Sequence, residues 1–238
     1  MQVRTSEEFE NLLNHLYVKG VKGFLISGGF TRDGYLKISD EMLSVIKKFK
    51  GNHESVFSIH LGMVPDTLVE KVWNAGFDFI DFEVPPSDDY IKSYRNLRFK
   101  VDDYLRTLEK LLTLDKGFAV PHLILDSRTS TLEDELNVLG KIAMLKPRLF
   151  VALVEMKVPD LNDFSRVKEV LTTARRLFNE VALGCMRSPK FKVYDSFWVS
   201  NGLVDRIVMP QREVIDSFKL KVVNACCSIP KDKFHLFT

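Results

Sequence analysis

The sequence predicts an α/β protein, a (β/α) barrel of the TIM type that is incomplete, with about seven strand–helix units. Short apolar stretches alternate with longer amphipathic stretches along the 238 residues. This alternation is typical of parallel strands joined by right-handed crossovers. No linker, repeat or low-complexity segment interrupts it, so residues 1–238 are predicted to form a single barrel domain. An open doubly wound sheet is the alternative fold.

The composition is that of an ordinary globular protein. Hydrophobic residues make up 45% and charged residues 28%, and the net charge is +2 from 34 basic and 32 acidic residues. This balance gives no indication of nucleic-acid binding. The sequence contains no apolar run long enough to span a bilayer and no apolar signal-peptide core at its start. We therefore expect a cytoplasmic protein with no membrane partner.

The first half of the chain shows clear element boundaries. Thr5 and Glu8 have the spacing of a capping box, which predicts a helix over 6–19 that ends at Gly20. Residues 88–94 are predicted to form a short helix or a loop. The other predicted elements are strands over 21–26, 55–61 and 77–83 and helices over 40–51 and 65–75.

The second half continues the same pattern. A leucine-rich period predicts a helix over 101–114, which stops before Gly117. Further strands are predicted over 118–125, 149–155, 181–185 and 206–209, and further helices over 131–145, 164–178 and about 194–200. The end of the chain, with Cys226 and Cys227, is predicted to be a frayed tail.

Two adjacent glycines end the first predicted strand. Gly28 and Gly29 have no Cβ, so the backbone after Ser27 can turn sharply and a ligand can approach its amides closely. An ordinary strand-to-helix turn is the alternative interpretation.

Polar residues follow most of the predicted strands. In a barrel the carboxyl ends of the strands surround one mouth, where active sites lie. We therefore predict a small-molecule site at this mouth. The strand ends carry Ser27, Gly28, Gly29, His60, Asp81, Glu83, His122, Asp126, Glu155, Cys185, Met186, Arg187, Gln211 and Arg212.

Three of these side chains have a specific predicted chemistry. The Arg187 guanidinium could hold a carboxylate through two hydrogen bonds. His60 and His122 are candidate metal ligands or acid–base groups. Because neither has the spacing of a zinc motif, a hydrogen-bonded histidine at a strand end is the alternative for both.

The three cysteines are too few for a disulfide framework in a chain of this length, so reduced thiols are expected. Cys185, Cys226 and Cys227 are the candidate metal ligands, although their spacing matches no zinc pattern. For the adjacent pair, an auxiliary iron–sulfur cluster or a redox role is the functional alternative to a frayed tail.

Several segments resemble a known family. Gly23-Phe-Leu-Ile-Ser-Gly-Gly29 is similar to the glycine motif of radical S-adenosylmethionine enzymes. Residues 183–189, 207–212 and 225–228 are similar to the late part of the biotin-synthase-like branch. That branch includes archaeal biotin-synthase homologues and two-component lipoyl synthase proteins.

The resemblance implies that S-adenosylmethionine binds at the mouth of the barrel, with its amino group at the backbone of Gly28 and Gly29. It also implies a [4Fe-4S] cluster, but the usual Cys-x-x-x-Cys-x-x-Cys loop is absent and no cysteine precedes Cys185. The first strand is then missing with that loop. Cofactor or substrate would face Ser27, His60, Glu83, His122, Glu155 and Arg187.

Three functions follow as hypotheses. The first is a radical S-adenosylmethionine protein related to biotin or lipoyl synthase, acting on a small molecule or a lipoyl-type carrier protein. The second is a non-catalytic accessory or small-molecule-binding barrel without iron–sulfur chemistry. The third is a conventional barrel enzyme that uses His60, His122 and the carboxylates as acids and bases. The gap left by seven strands would be closed by the strands themselves, by the N-terminal segment or by a partner subunit.

Overall fold

The computed structural model describes residues 3–126, 128–156 and 161–238. Their seven strands form one parallel sheet whose strand order follows the chain. A doubly wound sheet would reverse its strand order partway, so the sequential order excludes it. The sheet curls into an incomplete barrel, which confirms the predicted fold. The strands are Gly23–Ile26 (β1), Val56–Ile59 (β2), Phe79–Val84 (β3), Ala119–Leu125 (β4), Phe150–Val154 (β5), Val181–Leu183 (β6) and Arg206–Ile207 (β7).

Helices alternate with these strands. The capping box at Thr5 and Glu8 is confirmed, since the Thr5 hydroxyl accepts from the Glu8 amide at 3.1 Å. In the described part of the chain, no helix has the length and apolarity to cross a membrane. The α-helices are Ser6–Val18 (α1), Asp40–Asn52 (α2), Asp66–Asn74 (α3), Asp88–Tyr90 (α4), Val101–Leu114 (α5), Leu132–Met144 (α6), Leu161–Leu177 (α7), Asp195–Ser200 (α8) and Arg212–Phe218 (α9).

Most element boundaries lie within a few residues of the sequence expectation. The stretch over 88–94, expected as a short helix or a loop, is helical, and α4 continues into a π-helical turn, Ile91–Arg95. The last strand is shorter than predicted. Met209 has a φ of 47°, in the left-handed region, which ends the extended conformation after β7.

The two faces of the sheet carry separate clusters of buried residues. On β3, Ile80 and Phe82 belong to the large cluster that includes the helices. Phe79 belongs to the smaller cluster, with Val120 and Val151 of β4 and β5. Because side chains alternate along a strand, Asp81 and Glu83 share the face of Phe79.

The C-terminal segment, residues 224–238, packs on the inner face and is not frayed. Ile229 is buried within the smaller cluster, and Phe234 and Phe237 pack against it. The Arg206 guanidinium of β7 donates to the carbonyl oxygens of Cys227 and Ile229 at 2.6 and 2.5 Å. The prediction of a frayed tail is therefore wrong, because the segment has apolar side chains to bury and an arginine to hold its backbone.

This C-terminal segment contacts both edge strands of the barrel. At β1 the Phe237 ring lies so close to Gly23 that a Cβ there would be 2.8 Å from it. At β7 the segment is held by Arg206. The C-terminal segment therefore bridges the two edge strands, a closure that was not among the alternatives of the sequence analysis.

Gly184, directly after β6, gives a testable packing prediction. A Cβ at this position would lie 2.5 Å from Leu153 Cδ2 and 3.0 Å from Val151 Cγ1. We expect Gly184→Ala to lower the free energy of unfolding by about 1–3 kcal/mol through overpacking. Unfolding in urea measures this change in free energy. Gly140→Ala in α6 is the control, because no atom lies within 4 Å of its added Cβ. Equal stability of the two variants would contradict the close packing at Gly184.

Candidate functional site

The inner face of β3 holds a buried carboxylate without a hydrogen-bond partner. The side chain of Asp81 is 2% exposed, and neither of its oxygens has a partner among the described residues. The Nε2 atoms of His60 and His122 each lie 3.7 Å from a different oxygen of Asp81. Buried polar groups in proteins are nearly always hydrogen-bonded, so this exception needs an explanation.

Strand pairing brings these three side chains together. Ile59 of β2 pairs with Ile80 of β3, so the following residues, His60 and Asp81, are neighbours. Two residues further along β3, Glu83 pairs with His122 of β4. Side chains alternate between faces along each strand, which places all four polar groups at one end of the inner face.

His122 has a defined hydrogen-bonding pattern. Its Nδ1 lies 2.9 Å from the Val120 carbonyl oxygen, which can only accept, so Nδ1 carries the hydrogen and Nε2 of the neutral ring is an acceptor. Ser228 Oγ lies 3.4 Å and Cys227 Sγ 4.0 Å from Nε2. Because Asp81 approaches the same nitrogen, this is not a serine- or cysteine-protease triad, in which the acid and the nucleophile contact opposite ring nitrogens.

A cavity of about 300 Å³ reaches Asp81 at the carboxyl ends of β1 to β3. This volume lies at the lower end of the range for small-molecule sites. The lining residues are Gly28, Phe30, His60, Gly62, Asp81, Glu83, Pro85, Arg95, Leu97 and Tyr104.

Three of the polar residues that line this cavity are already paired or uncharged: Glu83, Arg95 and Tyr104. Glu83 forms an ion pair with Arg95. Burial is the largest single effect on Arg95 and disfavours its charged form, but Glu83, Tyr90 and Tyr104 together outweigh it and raise the pKa of the guanidinium. Burial raises the pKa of Tyr104 to about 12, so its hydroxyl stays protonated at neutral pH. The carboxylate of Asp81 is thus left as an acceptor in a cavity whose other charges are balanced.

The structure brings part of the predicted site together. Gly28, His60 and Glu83 line the cavity, and His122 lies on the far side of Asp81. Ser27 and Gly29 are exposed beside Gly28. Sequence reasoning did not select Asp81 as a binding residue, although a charged residue inside the apolar stretch Phe79–Val84 was the available signal. It also missed Arg95 and Tyr104, because a helical segment gives no sign of which strand end it faces.

Glu155 and Arg187 make contacts away from the cavity lining. The Glu155 carboxylate accepts from the Met156 amide at 2.8 Å and lies 3.6 Å from Arg128. Arg187 is buried and donates to both oxygens of Asp195 at 3.1 Å. Its remaining hydrogen bonds go to the carbonyl oxygens of Gly184 and Val208. The guanidinium therefore binds the protein itself and has no free edge for the predicted carboxylate ligand.

The three cysteines do not form one metal site. Cys185 is exposed, whereas Cys226 and Cys227 are partly buried in the C-terminal segment. Within residues 3–126, 128–156 and 161–238, no group of three or more histidine, cysteine or acidic side chains has an arrangement that could hold a metal ion.

Comparisons with known proteins found similar solved structures and no matching family. No family model and no curated protein matches the chain. The solved structure of an old yellow enzyme homologue from Zymomonas mobilis is similar to it, with a TM-score of 0.49 and 10% sequence identity. The similarity covers 90% of this chain and 85% of that one.

The expected membership of the radical S-adenosylmethionine family is wrong. No family model matches the chain, and the cysteine loop that holds the cluster of that family is absent from the sequence. The predicted cofactors, S-adenosylmethionine and a [4Fe-4S] cluster, depended on this membership and are wrong as well. The resemblance fails because its motifs are short. Two glycines after a strand and two cysteines in a partly buried segment also occur outside that family.

Proposed function

We propose that this chain is a small-molecule-binding (β/α) barrel without iron–sulfur chemistry, and that its ligand donates a hydrogen bond or a positively charged group to Asp81. The observation that supports the proposal is the buried Asp81 carboxylate, both of whose oxygens lack a hydrogen-bond partner among the described residues. Burying such a group without a hydrogen bond costs free energy, and a donor on the ligand would recover it.

The lining of the cavity supports a particular ligand chemistry. Phe30, Leu97 and Pro85 supply apolar contact, while Asp81 supplies a carboxylate that, within the described part of the chain, pairs with no arginine or lysine. A small molecule with a compact apolar body and an ammonium, amidine or hydroxyl end fits this combination. The Tyr104 hydroxyl is available as a further polar contact.

A conventional acid–base enzyme is a second candidate. His60 favours it, because the His60 side chain is 47% exposed while its Nε2 lies 3.7 Å from Asp81. The imidazole is therefore open to solvent and to a bound molecule, with a carboxylate beside it, as an acid–base group needs. Binding and catalysis would then share the same cavity.

Asp81→Asn tests the proposal with benzylamine as the probe. We expect the wild-type protein to bind it and the variant to bind about tenfold more weakly or worse, since a hydrogen bond to a charged group contributes about 1.5–3 kcal/mol. Isothermal titration calorimetry measures the affinity. Benzyl alcohol, which has the same ring but no charge, separates the charge from the apolar contact.

The same variant has an expected effect on stability. Removing a buried charge that has no hydrogen bond should leave the free energy of unfolding unchanged or raise it by about 1 kcal/mol. Asp66→Asn is the matched control, because Asp66 is exposed and pairs with Lys110 on the surface. If Asp81→Asn binds benzylamine as tightly as the wild type, the proposed site is wrong.

A further inference from the structure

The segment Cys226-Cys227-Ser228 is held in place by two partly buried arginines. Arg148 donates to the Ser228 carbonyl oxygen at 2.8 Å, and Arg206 donates to that of Cys227 at 2.6 Å. The two adjacent sulfurs are therefore carried by a backbone segment that is already held in place. Less conformational entropy of the protein is lost when one ligand binds both sulfurs.

Both cysteines line a second cavity, of about 550 Å³, between β7 and the C-terminal segment. None of its lining residues belongs to the Asp81 cavity. Its lining is mainly apolar and includes Ile207, Ile215, Val222 and Phe234. A ligand that enters here meets an apolar wall with two thiols in it.

Both thiols have polar neighbours but, among the described residues, no bonded partner that would block a ligand. The Ser228 hydroxyl lies 3.9 Å from each sulfur, and His122 Nε2 lies 4.0 Å from Cys227 Sγ. Soft centres bond the thiolate form of cysteine.

A bond between the two sulfurs is geometrically unfavourable. Adjacent Cα atoms lie about 3.8 Å apart across a trans peptide, whereas disulfides usually need about 4.4–6.8 Å. A single atom placed between the sulfurs enlarges the ring and removes this conflict. The pair is therefore better suited to bonding one external centre than to closing a disulfide.

We propose that Cys226 and Cys227 form a two-thiol site that chelates one soft, thiophilic centre, either a monovalent copper-type cation or the trivalent arsenic of an apolar organic compound. With phenylarsine oxide, two S–H bonds break, two S–As bonds form and the oxide oxygen leaves as one water. No atom changes its oxidation state. With a copper(I) ion, the two thiols release their protons to solvent and the ion keeps its charge.

Titration of the full chain with each probe tests the site. We expect one phenylarsine group per chain by mass spectrometry, and one copper(I) ion by competition with a chromogenic chelator. Cys226→Ser and Cys227→Ser should each weaken retention by about a hundredfold or more, because chelation by two linked groups gains about 10²–10⁴ in affinity. Cys185→Ser should change nothing, since this exposed cysteine stands alone.

Two further comparisons separate the possible outcomes. Val222→Glu places a charge on the exposed part of the apolar wall. If the natural ligand is organic, this variant should bind phenylarsine oxide more weakly and copper(I) with unchanged affinity. Tight binding of copper(I) alone would instead identify the cation as the ligand. Unchanged urea midpoints show that the serine variants are folded. Retention that survives both serine substitutions, or that is no tighter in the folded chain than in urea, would overturn the proposal.

Discussion

Asp195→Ala is expected to lower the free energy of unfolding by about 3–5 kcal/mol, because it leaves the charge of Arg187 buried without its partner. Both side chains are fully buried, and two hydrogen bonds of 3.1 Å join them. Arg187 also holds the carbonyl oxygens of Gly184 and Val208, so it links the ends of β6 and β7. Chemical unfolding in urea measures the loss.

An exposed pair is the control for this prediction. Arg212 and Asp216 form an ion pair on the surface of α9, so Asp216→Ala should cost no more than about 0.5 kcal/mol. The double variant Arg187→Met, Asp195→Leu should lose less than Asp195→Ala, since it leaves no buried charge. If Asp195→Ala stays within about 1 kcal/mol of the wild type, Arg187 is not the structural residue described above.

Arg206→Ala is expected to have a comparable effect and to release the C-terminal segment from the inner face. The Arg206 guanidinium forms an ion pair with buried Glu180 and donates to the backbone of Cys227 and Ile229. Its loss removes the closer partner of a buried carboxylate and leaves two carbonyl oxygens without this donor, at a cost of about 3–5 kcal/mol. Urea unfolding gives the free energy, and amide hydrogen exchange of residues 224–238 reports the release.

Lys231 provides a matched control on the same carboxylate. It lies 3.4 Å from Glu180 but is largely exposed, so Lys231→Ala should cost less than about 1 kcal/mol and leave exchange in the segment slow. Fast exchange in the wild-type protein would show that Arg206 does not hold the segment down.

The fold was predictable because each of its main signals is local. The Thr5–Glu8 capping box and the periodic apolar residues of 101–114 mark helices within the sequence itself. The C-terminal segment was not predictable in this way. Its burial depends on contacts between Arg206 and Ile229 and between Gly23 and Phe237, which are far apart in sequence.

The site was predictable in part for the same reason. Its location followed from the rule that polar strand ends meet at one mouth, and His60 and Glu83 were found there. Which of these residues is free to bind a ligand depends on its hydrogen-bond partners in the folded protein, which the sequence does not show. Arg187 was favoured for its chemistry and is fully paired, whereas Asp81 was only one of many polar strand-end residues and has no hydrogen-bond partner.

The most direct test of the ligand site is ¹⁵N NMR of the histidine side chains during a titration with benzylamine. We predict that His60 and His122 shift together as the probe binds to the carboxylate between them, and that Asp81→Asn abolishes both shifts. The free protein should show His122 with its hydrogen on Nδ1. Binding that leaves both imidazole signals unchanged would contradict a ligand site centred on Asp81.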